Sequence, residues 1–297
     1  MLRIMNPKQT RQIAIQYHIL RRLIQDDHLL NSKINKDTIH ELLDAKKFYE
    51  KYFDQKHNLS TLPTLFKLIQ RETDAAFKRI SNKIQVIHRY DSNYPISLIQ
   101  DFREEAPMFI YLSGKSEILD RKIKKISLFT NAQSSEAYIE KTLKLIKTLK
   151  GSPYIALIQF NTLMDNLIFL ECQKQSIPCI VIFRGPITKD LENAIKKYNP
   201  LFKRGLKGMN IMSITSPFNE VILEKKQNHL MNSLGRVSIL FSEVVNDVNH
   251  DAVKNNLSWR KPVMMPLLSH AQYPSSELLF TLGHDDEFKE MVDRLSQ

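Results

Sequence analysis

Residues 126–183 decide the fold, and they read ISLFTNAQSSEAYIEKTLKLIKTLKGSPYIALIQFNTLMDNLIFLECQKQSIPCIVIF. Three short apolar runs in this stretch are predicted to be strands: 126–129, 154–158 and 179–183. Two longer amphipathic segments separate them and are predicted to be helices: 135–149 and 165–175. Because strands alternate with helices, the stretch predicts βαβ units, in which a parallel sheet is covered by helices on both faces.

The same alternation extends from about residue 84 towards the end of the chain. Further strands are predicted at 84–87, 108–111, 211–213, 237–241 and 263–265, and further helices at 190–198, 219–233 and 247–257. We therefore expect an α/β fold over residues 84–297, a Rossmann-like and mostly parallel sheet with helices on both faces.

The first 83 residues have a different pattern, which is helical. Apolar residues recur there at helical spacing: Ile13, Tyr17, Leu20 and Ile24. Two more helices are predicted over 37–53 and from about residue 60. All seven glycines lie at or after Gly114, so this region lacks the residue that most freely adopts positive φ. The sequence thus predicts a small helical N-terminal module, residues 1–83.

The charge of the chain points to an anionic partner. The formal net charge is +11 and the pI is about 9.4, which favours nucleic acid first and an acidic membrane or protein surface second. A merely basic protein is the alternative. Cys172 and Cys179 are expected to be small buried residues in a reducing compartment, and no apolar run approaches the roughly 20 residues that cross a bilayer. We expect a cytoplasmic protein that does not bind membranes.

The usual signatures of enzymes and cofactor sites are missing from the sequence. It has no Walker A motif, no Gly-x-Ser-x-Gly elbow and no Cys-x-x-Cys pair. No glycine follows the strands 126–129 and 154–158, although a dinucleotide site needs glycine there for close approach to the pyrophosphate. Asp165 and the run 284–287 are expected to begin helices rather than to bind a metal. The sequence therefore predicts no cofactor, no metal and no catalysis.

A basic stretch with interleaved aromatic residues is the strongest candidate for a DNA-binding site. Its cations could neutralise phosphates and its rings could stack on unpaired bases: Lys196, Lys197, Tyr198, Phe202, Lys203, Arg204 and Lys207. A solvated helix end is an equally good interpretation. Lys225 and Lys226 form a second basic set ahead of the strand 237–241.

The order of several motifs resembles the DNA-processing protein A family, also called Smf. The segment DSNYPISL at 91–98, followed by APMFIYLSG at 106–114, is similar to the family's Tyr-Pro-x-x-Leu, Pro and Leu-Tyr-x-x-Gly. Weaker matches follow in order at Met164-Asp165, at 198–200, at Asn228 and at 276–283. The resemblance covers roughly residues 84–284. It implies single-stranded-DNA binding in natural transformation and recombination, homodimers, and handover of DNA to the RecA recombinase, with Asn228 inside the family's Arg-Asn-Arg.

Three departures from the family concern the residues that grip phosphate. The family's Gly-Ser-Arg is Thr130-Asn131-Ala132 here, its Ser-Gly-Leu-Ala is 158–161, and Gln227 and His229 replace both arginines of Arg-Asn-Arg. The chain is thus a diverged mediator that binds DNA elsewhere, or a relative with another task. The alternatives are a nucleotide-sensing or phosphoribohydrolase-like protein, which the missing glycines disfavour, and a scaffold that does not bind DNA.

Overall fold

The computed structural model describes residues 6–53, 62–80, 83–131, 134–189, 191, 210–215, 217–218, 221–242, 247–266, 273, 276–283 and 285–296. Within them lie the helices α1 (Pro7–Ile24), α2 (Asp27–Ser32), α3 (Ala45–Phe53), α4 (Leu62–Arg79), α5 (Ile96–Phe102), α6 (Glu136–Thr148), α7 (Leu163–Lys174), α8 (Glu224–Leu234), α9 (Asp247–Ser258) and α10 (Asp285–Leu295). The strands are β1 (Ile84–His88), β2 (Phe109–Ser113), β3 (Lys124–Thr130), β4 (Tyr154–Ile158), β5 (Cys179–Ile182), β6 (Asn210–Ser213), β7 (Val237–Phe241), β8 (Val263–Met265) and β9 (Leu279–Thr281). Three short 3-10 turns accompany them, at Ile39–Leu43, Arg103–Glu105 and Ser116–Leu119.

All these strands form one sheet in the order β1-β2-β6-β5-β4-β3-β7-β8-β9. β2 is antiparallel to both of its neighbours, and every other pair is parallel. In the centre, Ile126 of β3 lies opposite Ala156 of β4 on one side and Val237 of β7 on the other. The predicted Rossmann-like, mostly parallel α/β fold is confirmed. The sequence analysis missed β9, whose side chains are only partly buried.

Helices cover both faces of the sheet, and the strands alternate between two hydrophobic cores. In β4, Ala156 faces the core that contains α1, α6, α7 and α10, whereas Leu157 faces the core that contains α5, α8 and α9. Since side chains of a strand point alternately to opposite faces, one buried strand supplies both cores. No helix in the described ranges is long and apolar enough to cross a membrane.

The predicted helix 37–53 is divided in the structure. Its first part is the 3-10 turn Ile39–Leu43, and Asp44 then adopts an extended backbone and caps α3 by accepting the Lys47 N–H at 3.1 Å. The short α2 was not predicted. Its N-cap is Asp26, whose carboxylate accepts the Leu29 N–H at 2.8 Å. Both differences arise from aspartate caps, which satisfy N–H groups at a helix start.

The N-terminal helices and the sheet share one hydrophobic core. Ile13 and Leu20 of α1 are fully buried in the same cluster as Ile84 of β1 and Ile126 of β3. The predicted boundary at residue 84 coincides with the first residue of β1. The division of the chain into a module of residues 1–83 and a domain of residues 84–297 stays a prediction.

Two motif residues of the family resemblance have a structural role here. Tyr94 is buried, and its hydroxyl donates to the Pro107 carbonyl at 2.6 Å, which joins the two ends of the β1–β2 connection. Gly114 has φ +125°, and a Cβ there would lie 2.2 Å from Asn210 Oδ1. Since an L side chain rarely adopts that φ and has no space there, glycine is required after β2.

His18 connects α1 to β2 of the sheet within the shared core. Its Nε2 lies 3.0 Å from the Tyr111 hydroxyl, and its ring packs against Phe77 and Phe109. Complete burial lowers the pKa of His18 to about 3, because the charged imidazolium would lose its hydration. The histidine is therefore neutral in the folded protein at neutral pH.

Neutral His18 makes the stability of the fold depend on pH. The unfolded chain binds a proton near pH 6.5 and the folded chain does not, so stability falls as pH decreases below about 6.5. From pH 7.5 to pH 5.5, the protonation of this one group in the unfolded chain should lower the free energy of unfolding by about 1.4 kcal/mol. Urea unfolding at both pH values should show that His18→Gln has a smaller pH dependence than the original protein. His28→Gln, at an exposed histidine, is the matched control, and an equal loss of pH dependence in both variants would contradict the assignment.

Candidate functional site

The carboxyl ends of β3, β4 and β5 form the best candidate site. From β3 the chain adds β4, β5 and β6 on one side of the sheet, and later adds β7, β8 and β9 on the other side. Open α/β sheets bind ligands at the carboxyl ends of the strands, near such a reversal of strand order. We call this region the carboxyl edge; it consists of the residues that follow β3, β4 and β5 and those at the start of α7 and α8.

Asp165 is the centre of the carboxyl edge, and it is fully buried. Its Oδ1 accepts the Thr130 hydroxyl at 2.7 Å, and its Oδ2 accepts the backbone N–H groups of Asn161 and Thr162, both at 2.9 Å. Thr162 in turn caps α7, since its Oγ1 accepts the Asp165 N–H at 3.0 Å. The expected capping role of Asp165 is thus present, and the same carboxylate also ties the end of β3 to α7.

Side-chain amides continue this network towards α8. Asn161 Nδ2 donates to Gln159 Oε1 at 2.9 Å and to Gln227 Oε1 at 2.8 Å. Gln159 Nε2 donates to Asn228 Oδ1, and Gln227 Nε2 donates to the Ile182 carbonyl at 2.5 Å. Gln159, Gln227 and Asn228 are all buried. The amides therefore hydrogen-bond to one another and to the ends of β4 and β5.

The network includes positions that the sequence resemblance aligned with the family's phosphate-gripping residues. Burial raises the pKa of Asp165, while its hydrogen bonds to Thr130 and to the Asn161 and Thr162 N–H groups act in the opposite direction. Gln159, Gln227 and Asn228 are neutral amides, and the one ionisable group of the network is an acid. This part of the carboxyl edge attracts no phosphate by charge.

His229 stands where the family has its second arginine, and it lies between two aromatic rings. Its ring centroid is 4.1 Å from that of Phe102 and 4.5 Å from that of Trp259. Burial lowers the pKa of His229, although the carboxylates of Asp101 and Glu105 act against this shift. Because the ring is neutral and enclosed at neutral pH, it packs α8 against α5 and does not replace the cation.

Exposed aliphatic side chains surround the amide network. Leu163 is 68% exposed at the start of α7, and Val221 and Leu223 are 62% and 74% exposed just before α8. Asn161 lies two residues before Leu163, and its bond to Gln227 places the start of α7 beside the start of α8. Three large apolar side chains are thus exposed at the starts of the two helices that the amide network connects.

Four cations lie around the same edge: Arg184, Lys189, Lys225 and Lys226. Arg184 Nε donates to the Ile222 carbonyl at 3.0 Å, and Lys225 Nζ lies 2.9 Å from Asp251. Lys189 and Lys226 are exposed. The edge thus combines exposed aliphatic side chains with a basic periphery, in which Arg184 and Lys225 are paired with Glu224 and Asp251.

The structure describes only three of the predicted DNA-binding residues. Lys225 and Lys226 are exposed on the first turn of α8, whereas Asn228 is buried with its carbonyl oxygen bonded to Gln159. The other predicted residues lie outside the described residues: Lys196, Lys197, Tyr198, Phe202, Lys203, Arg204 and Lys207. They belong to the connection that leaves the carboxyl end of β5 and returns at the amino end of β6.

Sequence reasoning missed Leu163, Val221 and Leu223 as candidate site residues. A leucine that directly follows the cap Thr162 was a usable signal, because the first residue of a helix after a buried strand lies at the carboxyl edge. Val221 and Leu223 gave no signal, since their exposure depends on where α8 begins. Within the described residues, no group of three or more His, Cys, Asp or Glu side chains could hold a metal ion.

No protein-family model and no curated protein matches this chain. Solved structures do match, and two of them are structures of DNA processing protein A. DNA processing protein A from Streptococcus pneumoniae is 15% identical with a TM-score of 0.53, and the match covers 84% of this chain and 86% of that chain. This chain has a fold like that of DNA processing protein A. DNA processing protein A from Helicobacter pylori, described by its single-stranded-DNA-binding mode, is 13% identical with a TM-score of 0.54, covering 72% of this chain and 98% of that chain.

The buried carboxylate of Asp165 should be the most sensitive point of the carboxyl edge. Asp165→Asn keeps the size but removes the charge and one acceptor oxygen, so the N–H groups of Asn161 and Thr162 keep at most a neutral acceptor and the Thr130 hydroxyl must turn to accept from the new NH₂ group. We expect a loss of about 1–3 kcal/mol in the free energy of unfolding, measured with urea. Asp251→Asn, which breaks the more exposed ion pair with Lys225, should cost about 1 kcal/mol or less. Equal losses in the two variants would show that the Asp165 network contributes nothing special.

Proposed function

We propose that this chain is a single-stranded-DNA-binding protein that acts in DNA uptake and homologous recombination, with no catalytic step of its own. The observation that supports this best is the carboxyl edge, where exposed aliphatic side chains lie within a basic periphery. Unpaired bases expose apolar faces that a duplex hides, and their phosphates need cations. The net charge of +11 and the fold of DNA processing protein A agree with this function.

In the proposed mode of binding, this edge contacts the bases of the DNA strand as well as its phosphates. Leu163, Val221 and Leu223 are suited to contact the faces of splayed bases, and Lys189, Lys225 and Lys226 to contact phosphates. The neutral amide network holds α7 and α8 beside each other and so fixes the spacing of these groups. The residues at 196–207 add the cations and rings of the basic stretch to the same function.

The cellular location, oligomeric state and protein partner in this proposal are those that the family resemblance implies. It includes a cytoplasmic location, a homodimer, and transfer of the bound strand to the RecA recombinase during natural transformation. A nucleotide sensor is disfavoured, because the amides at the ends of β4 and β5 are occupied by one another. A scaffold without DNA binding is the other alternative, and the following experiments distinguish it.

Single-stranded DNA should bind more tightly than duplex DNA of the same sequence at every salt concentration. The double variant Leu163→Ser with Leu223→Ser should weaken single-strand binding by about fivefold for each leucine that contacts a base, since a partly buried leucine contributes about 1 kcal/mol. Fluorescence anisotropy of labelled DNA measures the affinity for single strand and duplex and the affinity of the variant. Leu65→Ser with Leu68→Ser, two exposed leucines of α4, is the matched control and should leave affinity unchanged. Equal or tighter binding of duplex would contradict the proposal.

The basic stretch should determine much of the salt dependence. If Lys203, Arg204 and Lys207 contact phosphates, changing all three to alanine should reduce the slope of log K against log salt by about 0.7 for each contact, or roughly 2 in total. Stability should change by less than about 0.5 kcal/mol for each surface substitution. Changing Lys144 and Lys147 of α6 and Lys150 just after it to alanine removes the same charge elsewhere and should leave the slope nearly unchanged. If the two triple variants behave alike, the stretch is not a DNA contact.

Phe202 tests the aromatic part of the stretch separately. A stacked base contributes about 1–3 kcal/mol of binding, whereas loss of a core phenylalanine costs about 3–5 kcal/mol of stability. Phe202→Ala should therefore weaken DNA binding and leave the urea midpoint nearly unchanged. A large fall in the midpoint would instead assign Phe202 to the core.

A further inference from the structure

A concave surface lies between the N-terminal helices and the sheet, and the start of α8 borders it. It has a volume of about 530 Å³ and is lined from α1 by Tyr17 and Arg21, from the turn after α5 by Glu104 and Glu105, and from the start of α8 by Lys226. We call it the helix–sheet cleft. It joins a neighbouring cavity of about 440 Å³, because both are lined by His18, Arg21 and Asp27.

The inner wall of the helix–sheet cleft is apolar and aromatic. Tyr17 packs edge to face against Phe109, with ring centroids 5.2 Å apart. The Tyr17 hydroxyl donates to Asn31 Oδ1 at 3.0 Å. Ile214 and Ile222 continue this wall towards α8. Tyr17 and Phe109 are themselves almost fully buried, so the apolar surface open to a planar ring comes mainly from the half-buried Ile214 and Ile222. A ring placed there would remove apolar area from water.

The rim of the cleft carries both acceptors and cations. Glu104 and Glu105 are exposed, and the Glu104 carboxylate lies 3.7 Å from the exposed His28. Arg21 Nε lies 2.7 Å from Asp27, and Lys226 projects from the first turn of α8. A basic peptide would meet Arg21 and Lys226, and an acidic peptide would meet the glutamates. Neither class of peptide fits a rim of mixed charge.

A nucleotide matches all three chemistries of this cleft at once. Its ring suits the apolar wall, its phosphate suits Lys226, and an exocyclic amine suits a carboxylate, since Glu and Asp accept from cytosine N4. We propose that the helix–sheet cleft binds one unpaired base of the DNA strand and prefers cytosine to thymine through Glu104 and Glu105. This inference rests on the proposed function. It adds the N-terminal helices to the binding surface and gives the protein a base preference.

Helix α8 connects the cleft with the carboxyl edge. Leu223 and Gln227 belong to the carboxyl edge, while Ile222 and Lys226 line the cleft. One strand of DNA could therefore run along the start of α8 from the exposed leucines into the cleft. The two sites would then bind neighbouring nucleotides and share Lys226, while Leu223 belongs to the carboxyl edge alone and Glu104 and Glu105 to the cleft alone.

The experiment compares oligo(dC) with oligo(dT), each about 20 nucleotides long so that it exceeds one binding site. Both are pyrimidine strands; cytosine has an amine at C4 and an acceptor at N3 where thymine has a carbonyl and an N–H group, and thymine also has a methyl group at C5. The original protein should bind oligo(dC) about tenfold more tightly, which is what one good base contact provides. The double variant Glu104→Gln with Glu105→Gln should bring this ratio close to one. Lys226→Ala should reduce the salt slope for both strands by about 0.7 and leave the ratio unchanged.

A matched double variant controls for charge. Glu136→Gln with Glu140→Gln, at exposed positions of α6, removes the same two negative charges and should keep the preference for oligo(dC). If the original protein binds both strands equally, or if the cleft variant keeps the preference, the cleft proposal is overturned and the proposed function stands. If the original protein binds neither strand, the proposed function fails and the cleft proposal fails with it.

Discussion

The buried carboxylate of Asp165 is the interaction on which the carboxyl edge depends. It joins the end of β3, through Thr130, to the cap of α7, through the N–H groups of Asn161 and Thr162. A charge without hydration is costly, and three donors offset that cost only if they are held in place. The ends of β3 and β4 are therefore fixed relative to each other and to α7. Every exposed group at this edge is positioned on that frame.

The same frame explains how a Rossmann-like sheet can exist without glycine-rich loops. Glycines at such a site let the backbone approach a phosphate, and the phosphate then satisfies the N–H groups at the helix start. Here Asp165 and Thr162 satisfy the start of α7, and amides from Gln159, Asn161 and Gln227 fill the space beside it. The side-chain amides of this network form hydrogen bonds with one another. What this edge offers to a partner is its exposed leucines and the cations around them.

The N-terminal helices pack against the sheet and share a hydrophobic core with it. α1 contributes buried residues to one of the two cores, and His18 bonds to Tyr111 of β2 from within α1. On the opposite face, α8 approaches β3 so closely that the Ser127 hydroxyl donates to the Met231 carbonyl at 2.7 Å. A Cβ at Gly235 would lie 2.1 Å from that hydroxyl oxygen. Both sides of the sheet are thus packed by helices whose polar contacts fix one arrangement, and the helix–sheet cleft lies where these packed elements meet.

The sequence by itself determined the fold class, because strand and helix periods are local properties that each segment carries alone. Eight of the strands, from β1 to β8, follow from apolar runs, and Asp165 was recognised as belonging to a helix start. The sequence also showed that the glycine loops are missing. It did not show that β9 pairs with β8, since a half-buried strand of three residues has little pattern. Nor did it show that Asn161 reaches Gln227, that Leu163 and Leu223 stay exposed, or that His229 lies between Phe102 and Trp259. Those facts depend on residues far apart in the chain, and only the packing of α7 and α8 on the sheet brings them together.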